Sequence, residues 1–359
     1  MKKVTAFVLA TLMAMTLVAC GSGSAAAPAA PAAAPAASAG AEAAADDIMS
    51  MNIMVGHCDP EDINDPYHHT AVTFVEKLEE LSGGKIKGTV YPNAQLGDER
   101  SVMEQVQNGS VDATCITGAV ASNFATSLQL LDIPFIFGSL EEARAVAGSE
   151  YGQKMLDELS TVGIKGLAIS ENGFRYILNT KHEIKTPEDL VGLKLRVIQS
   201  PVYLEFYKAV NSSAVAMAFG EVYTAMSQGT VDGFDLPMPV ILSSKLYEVS
   251  DFITDIRYTY TPILVCVNQA AWDSWNEATQ KVFLEAAEAA RQSTYASNDE
   301  IEKQGMTTVK EAGLTITEYD DVDVEEFREL SSKLWEQFAD TDEKKEILDG
   351  INEVVGAMR

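Results

Sequence analysis

Two arginines set the chemistry this sequence can do. Arg196 lies in Gly192-Leu-Lys-Leu-Arg-Val197, where Leu195 and Val197 share one face of a strand and Arg196 takes the other. It stands near the strand's C-terminal end, beyond which open α/β sheets bind their ligands. A guanidinium there can grip a carboxylate through two parallel hydrogen bonds. The same spacing also suits a structural arginine paired with one of the chain's many acids. Arg175 follows a glycine turn in Asn172-Gly-Phe-Arg175 and opens another strand. A third feature is Phe219-Gly-Glu-Val-Tyr223, followed by Gln228-Gly-Thr-Val-Asp-Gly-Phe-Asp-Leu-Pro237. There a helix ends at a glycine and a strand leads into a Gly/Pro-bordered loop. On spacing alone, a phenylalanine placed like Phe219 is more often core than a platform beneath a ligand.

Other chemistries find no support. The folded region has no Gly-x-Ser-x-Gly, no phosphate-binding loop and no dinucleotide Gly-x-Gly-x-x-Gly. Its four histidines (His57, His68, His69, His182) form no i, i+4 pair, and adjacent His68 and His69 would project about 100° apart on a helix. Neither a metal nor a cofactor is expected, nor an enzyme. Among 53 Asp+Glu, paired carboxylates arise by chance and carry no signal. Those acids against 26 Lys+Arg give a net charge of −27, which argues against nucleic acid. A hydrophobic fraction of 47% is that of a globular chain. Cys58, Cys115 and Cys266 are too few and too far apart for a disulfide framework, and their apolar surroundings suit buried thiols.

The elements that must position the arginines alternate from Met51 onward. Strand chemistry at 52–55, 86–91 and 111–116 is interleaved with helical spacing over 68–81 and 98–107. Gly83-Gly84 and Asn108-Gly109 supply the stops. This βαβαβ run predicts mostly parallel strands covered by helices on both faces. The pattern continues with a helix over 141–159, strands over 164–169 and 175–179, a strand over 194–198 and helices over 202–210 and 221–228. The wholly apolar 262–267 suits the centre of a sheet. Helices are expected again from 277 to about 295 and through the acidic end. No Pro/Gly linker divides 51–359, so two lobes must be joined by strands that cross between them.

The first fifty residues differ in kind. Lys2 and Lys3 precede an uncharged apolar run, then Leu17-Val-Ala-Cys-Gly21, the pattern of a bacterial lipoprotein cleavage site. The run falls short of the roughly 20 residues of a membrane-spanning helix. Residues 1–19 are therefore expected to be a signal peptide, with Cys20 lipidated. Residues 20–50, rich in Ala and Pro, are expected to be an extended tether that holds the domain outside the cell membrane. Removing 1–50 takes away only Lys2, Lys3, Glu42, Asp46 and Asp47, so the acidity belongs to the folded part.

Six blocks occur in order: Tyr91-Pro-Asn-Ala-Gln-Leu-Gly97, Asp132-Ile-Pro-Phe135, Thr186-Pro-Glu-Asp-Leu190, Gly192-Leu-Lys-Leu-Arg-Val197, Glu221-Val-Tyr-Thr-Ala225 and Val231-Asp-Gly233. Together they resemble the solute-binding proteins of tripartite ATP-independent periplasmic (TRAP) transporters, the DctP-type branch typified by dicarboxylate binding. The likeness runs from about Met51 to about Glu300 and weakens after that.

The resemblance implies an α/β, two-lobed periplasmic-binding-protein fold of type II-like build. Each lobe would be a mostly parallel sheet with flanking helices, joined by hinge strands and a long helix. Lobe I would comprise 51–172 plus 261–300, and lobe II 173–260 plus 301–359. Its partners would be a small organic acid (a C4-dicarboxylate, a sugar acid or uronate, or a related carboxylate), the membrane permease that receives it, and the membrane reached through Cys20. A receptor subunit of an ATP-driven importer is the alternative.

In such proteins the block arginine binds the carboxylate, a role that falls to Arg196, with Arg175 helping and Phe219 lining the cleft. The family's loop after Val-Asp-Gly usually offers an asparagine amide. Here Asp235-Leu-Pro237 stands instead, and Asp235 is expected to accept hydrogen bonds from ligand hydroxyls. Arg257 replaces a frequent histidine and is expected either to bind a second carboxylate or to be a surface charge. Thr117, His57 and Tyr260 fall near positions that face the cleft in similar proteins.

Overall fold

The computed structural model describes residues 47–359. The predicted signal peptide, Cys20 and most of the tether lie outside the described residues. The last tether residues are already part of the fold. Asn276 Nδ2 donates to the Asp47 carbonyl at 2.7 Å, the Met49 amide donates to Thr279 Oγ1 at 3.0 Å, and Ile48 is buried.

The strands are β1 (Met51–Gly56), β2 (Ile86–Tyr91), β3 (Ala113–Thr117), β4 (Ile164–Asn179), β5 (Lys194–Val197), β6 (Ser213–Ala216), β7 (Gly233–Pro237), β8 (Phe252–Thr254), β9 (Tyr260–Asn268) and β10 (Thr315–Thr317). They run in the order β2-β1-β3-β9-β4-β7-β5-β6, with β8 beside β4 and β10 beside β8. The first lobe is built on β2, β1, β3 and β9, the second on β7, β5, β6, β8 and β10. One strand belongs to both.

That strand is β4, 16 residues long. From Ile164 to Phe174 it pairs antiparallel with β9, and from Arg175 to Asn179 with β7 and β8. The segments 164–169 and 175–179, expected as separate strands, are therefore one. The polar Ser170–Gly173 stretch that reads as a turn is continuous strand, with a bulge between Glu171 and Gly173. Gly173 sits at φ +118°, where a Cβ would be strained, so glycine is needed to re-aim the chain there. The sheet is mixed: β1–β2, β1–β3, β5–β6, β5–β7 and β8–β10 pair in parallel, while every pairing of β4 and β9 is antiparallel. The expectation of mostly parallel lobes fails at these crossing strands, because a strand that returns to the first lobe must run against its neighbours.

β9 shows why a crossing strand is apolar throughout. Ile263, Val265 and Val267 pack into one core, and Leu264 and Cys266 into the other, following the two-residue period of a strand. The single helix expected over 141–159 is two, Leu140–Ala147 and Glu150–Glu158, because Ser149 caps the second through its side chain. A 35-residue helix, Glu277–Glu311, is the second element common to both lobes. Phe283 meets Phe74 edge to face, and Thr294 shares a 2.8 Å hydrogen bond with Thr70, both on the first-lobe helix Pro66–Leu81. Further along, Gly305 leaves room for Met238 of the second lobe.

The last helix, Asp342–Gly356, packs on Leu140–Ala147 and Glu150–Glu158, with Tyr151 against Gly350. Arg359 grips Glu142 through Nε at 2.8 Å and Nη2 at 3.0 Å. This helix, expected with lobe II, thus rests on helices expected in lobe I. Among the described residues no helix is long and apolar enough to cross a membrane, and no cluster of His, Cys, Asp and Glu is placed to hold a metal ion. Cys58, Cys115 and Cys266 are buried free thiols.

Candidate functional site

Arg196 and Arg175 meet at one small cavity of about 20 Å³. β5 delivers Arg196 from the second lobe, and β4 delivers Arg175 from the point where its partner changes from β9 to β7. Both side chains are buried, each residue 1% exposed. Phe219, Leu236, Ile198 and Val240 supply apolar wall. A second hollow of about 280 Å³ shares Glu99, Arg196, Ile198 and Phe219 with the first.

The two guanidiniums differ in their partners. Arg196 donates Nε and Nη2 to the Met217 carbonyl at 3.1 and 2.8 Å, and its buried Nη1 has no partner among the described residues. Burial, then the neighbouring Arg175 charge, pushes its pKa down to about 10, so it stays cationic near neutral pH. Arg175 donates Nη2 to Asp235 Oδ1 at 3.1 Å and to the Asp235 carbonyl, and Nη1 to Thr261 Oγ1 at 3.2 Å. Its guanidinium also lies 4.9 Å from the Tyr203 ring centre. Burial works against this charge, but the Asp235 carboxylate overrides it and holds the group above its ordinary value. Each arginine leaves one buried donor without a partner among the described residues, Nε of Arg175 and Nη1 of Arg196, but Arg175 has a carboxylate beside it and Arg196 has only a carbonyl.

Asp235 is fully buried on β7. Its Oδ1 faces Arg175 and its Oδ2 accepts from the Tyr258 hydroxyl. Strand alternation turns its neighbour Leu236 toward the cavity instead. The expectation that Asp235 meets ligand hydroxyls therefore conflicts with its geometry, since it is fully buried, is held by Arg175 and Tyr258, and does not line the cavity. Thr117 lies fully buried behind the wall. Its amide donates to Glu99 Oε1 at 2.8 Å, and its hydroxyl caps a short helix through the Ala119 amide.

Three other candidates stand elsewhere. His57 is buried, with Nε2 3.0 Å from His68 Nδ1, and burial with the His68 charge pushes its pKa down to about 3, leaving it neutral. Tyr260 is packed edge to face against Phe137 and Phe174. Arg257 is exposed and ion-paired with Asp255 at 2.6 Å, at a separate cavity.

Spacing missed the acids. Glu99 and Asp59 line the cavity with Tyr67 and Asn172. Burial pushes Glu99 up to about 7 against the pull of the Thr117 amide and both arginines. Burial, with Asp65 and Glu99 nearby, holds Asp59 well above the carboxylate range. The only sequence signal for Glu99 is its place two residues after the Tyr91–Gly97 block; Asp59 has none. The arrangement offers one cation without a close counter-ion, apolar walls and two carboxyls that burial pushes toward the protonated form.

Comparison with known proteins agrees with this architecture. The model of the DctP family, described as bacterial extracellular solute-binding protein, family 7, matches residues 58–342. A solute-binding protein of Verminephrobacter eiseniae is 37% identical over 244 residues, covering 68% of this chain and 73% of that protein. A TRAP periplasmic solute-binding protein of Polaromonas sp. JS666, bound to D-erythronate, is 33% identical with a TM-score of 0.80, covering 84% of this chain and 98% of that one. The sugar acid binding protein of Advenella mimigardefordensis, in complex with galactonate, is 28% identical with a TM-score of 0.81, covering 87% and 100%. The chain belongs to the family 7 bacterial extracellular solute-binding proteins, the two-lobed receptors of TRAP transport.

Proposed function

We propose that this chain captures a small hydroxylated carboxylate, a sugar acid or a related acid, and hands it to a TRAP membrane permease. The observation that carries the reading is the buried Arg196, whose Nη1 lacks a partner among the described residues, at a small cavity that adjoins a hollow of about 280 Å³. A carboxylate completes that hydrogen-bonding set and supplies the counter-charge that Met217 cannot. Arg175, fixed by Asp235 and Thr261, orients the same end of the ligand or its first hydroxyl. Glu99, Asp59 and Asn172 offer acceptors to further hydroxyls, and Phe219 and Leu236 pack on the carbon chain. Three carboxyls around the arginine pair disfavour a second ligand carboxylate, so a monocarboxylate is favoured over a C4-dicarboxylate. The D-erythronate and galactonate held by similar proteins are acids of this kind.

The lobes would part between 172 and 173 and again between 260 and 261, across β4 and β9, and close around the arginines. Lipidation at Cys20 would keep the receptor on the outer side of the membrane, with residues 20–50 as tether. No catalytic step is proposed: binding, closure and release suffice. A thermal-shift screen of aldonates, uronates and C4-dicarboxylates tests the reading. Aldonates or uronates should raise Tm for the native chain and not for Arg196→Ala. Full affinity in that variant, or a preference for neutral sugars, would sink it.

A further inference from the structure

The cavity holds more carboxyl groups than its cations can satisfy. Arg196 and Arg175 face Asp235, Asp59 and Glu99, and Asp235 is locked to Arg175 and Tyr258. A ligand carboxylate docked on Arg196 would bring a further anion into this shell, beside Glu99 and the Arg175–Asp235 pair. Uncompensated charge in a buried site costs far more than moving a proton. Asp235 is already engaged by Arg175 and by the Tyr258 hydroxyl and does not line the cavity.

Glu99 is placed to change. It starts the helix Glu99–Asn108 and accepts the Thr117 amide from β3. Arg196 of β5 and Arg175 of β4 favour its charge; Asp98 on its own element opposes it, and burial outweighs the arginines. Asp59 and Tyr67 share the cavity wall with it, while Cys58, Asp98 and Glu221 share the adjoining hollow. Each anion added to this shell raises the free energy of an ionised Glu99. The group titrates near neutral pH before the ligand enters, so modest extra repulsion moves it.

We propose that Glu99 takes up one proton from solvent as the solute's carboxylate docks on Arg196, making capture a joint binding of acid anion and proton. This rests on the carboxylate reading of Arg196 and adds regulation to it. The protonated Glu99 then donates its O–H toward a ligand oxygen, a contact the carboxylate cannot make. Below about pH 6 the proton is already present and affinity is flat with pH. Above about pH 7.5 each captured anion must recruit its proton, and Kd weakens about tenfold per pH unit.

Calorimetric titration of D-erythronate and of D-galactonate into the purified full chain tests this, in paired buffers of different ionisation enthalpy. The expected result is uptake of about one proton per bound acid at pH 8 and almost none at pH 5.5. Glu99→Gln, which keeps the acceptor for Thr117, should bind with no buffer dependence and a flat pH profile. Buffer-independent heats at pH 8 in the native chain overturn the proposal and leave the Arg196 reading standing. Undiminished proton uptake by Glu99→Gln does the same. If Glu99→Gln fails to fold, the native buffer comparison decides alone. Full-affinity binding by Arg196→Ala, or no binding of either acid at millimolar concentration, overturns both readings.

Discussion

Several hollows of this molecule have arginine in their walls, and the one at Arg257 contrasts with the one at Arg196. The hollow lined by Tyr176, Asp255, Arg257, Glu302 and Glu318 has about 480 Å³, against about 20 Å³ between the two arginines and about 280 Å³ in the hollow that adjoins them at Arg196. In the larger one Arg257 has a half-exposed side chain, with Nε and Nη2 both on Asp255 at 2.9 and 2.6 Å and the Tyr319 ring 5.1 Å away. Its charge is spent and wet. Arg196 is dry and under-used, and there an incoming anion meets a donor without competing water. Volume measures what fits; burial and unspent donors measure what is held.

Four substitutions break or sharpen that contrast. The largest effect is expected on stability, from Asp235→Asn, which strips a buried guanidinium of its counter-ion. About 4 kcal/mol should be lost, seen as a fall in Tm of roughly 8 °C; an unchanged melting curve would mean Arg175 does not depend on Asp235. Arg196→Ala comes next, costing about 3 kcal/mol of binding, or roughly a hundredfold in Kd by calorimetry. Phe219→Ala removes a half-buried wall and should weaken binding about tenfold, with little change in Tm. Arg257→Ala should alter either quantity by less than about 0.5 kcal/mol, as befits an exposed ion pair. Equal losses of affinity from Arg257→Ala and Arg196→Ala would erase the distinction between the two cavities.

Much of this was legible in the sequence, and the failures have physical causes. Arg196 and Arg175 stood out because strand alternation and a glycine turn give a side chain a direction before the fold is known. Phe219 was less legible, since an aromatic looks the same beside a core as beside a cavity. Glu99 and Asp59 were invisible among 53 acids, because only the fold decides which carboxyls are buried beside a guanidinium. Asp235 was noticed and misread: its role follows from Arg175 and Tyr258, distant residues that pair with it only in the sheet.

The elements show the same division. β2, spanning Ile86–Tyr91, falls where periodicity predicts, because one parallel neighbour defines its environment. β4 was read as two strands since Ser170–Gly173 is polar, yet that stretch is buried between lobes, where Asn298 Nδ2 reaches the Glu171 carbonyl at 3.1 Å. The helix from Glu277 was ended near Tyr295 because its later turns are mostly polar, although Gly305 and Val309 remain buried.

The uninterrupted β4 has a mechanical consequence. A receptor whose halves are joined by slack loops can shut without disturbing its ligand contacts. Here the joint is a continuous strand, and Arg175 is the first residue beyond its pairing with β9. Any rotation of one half against the other is delivered as torsion at that residue, which Asp235 and Thr261 anchor on either side. On the proposed reading, gripping the solute and shutting the jaws would be strokes of one lever, and a mutation that softens that strand should loosen the grip without touching the pocket.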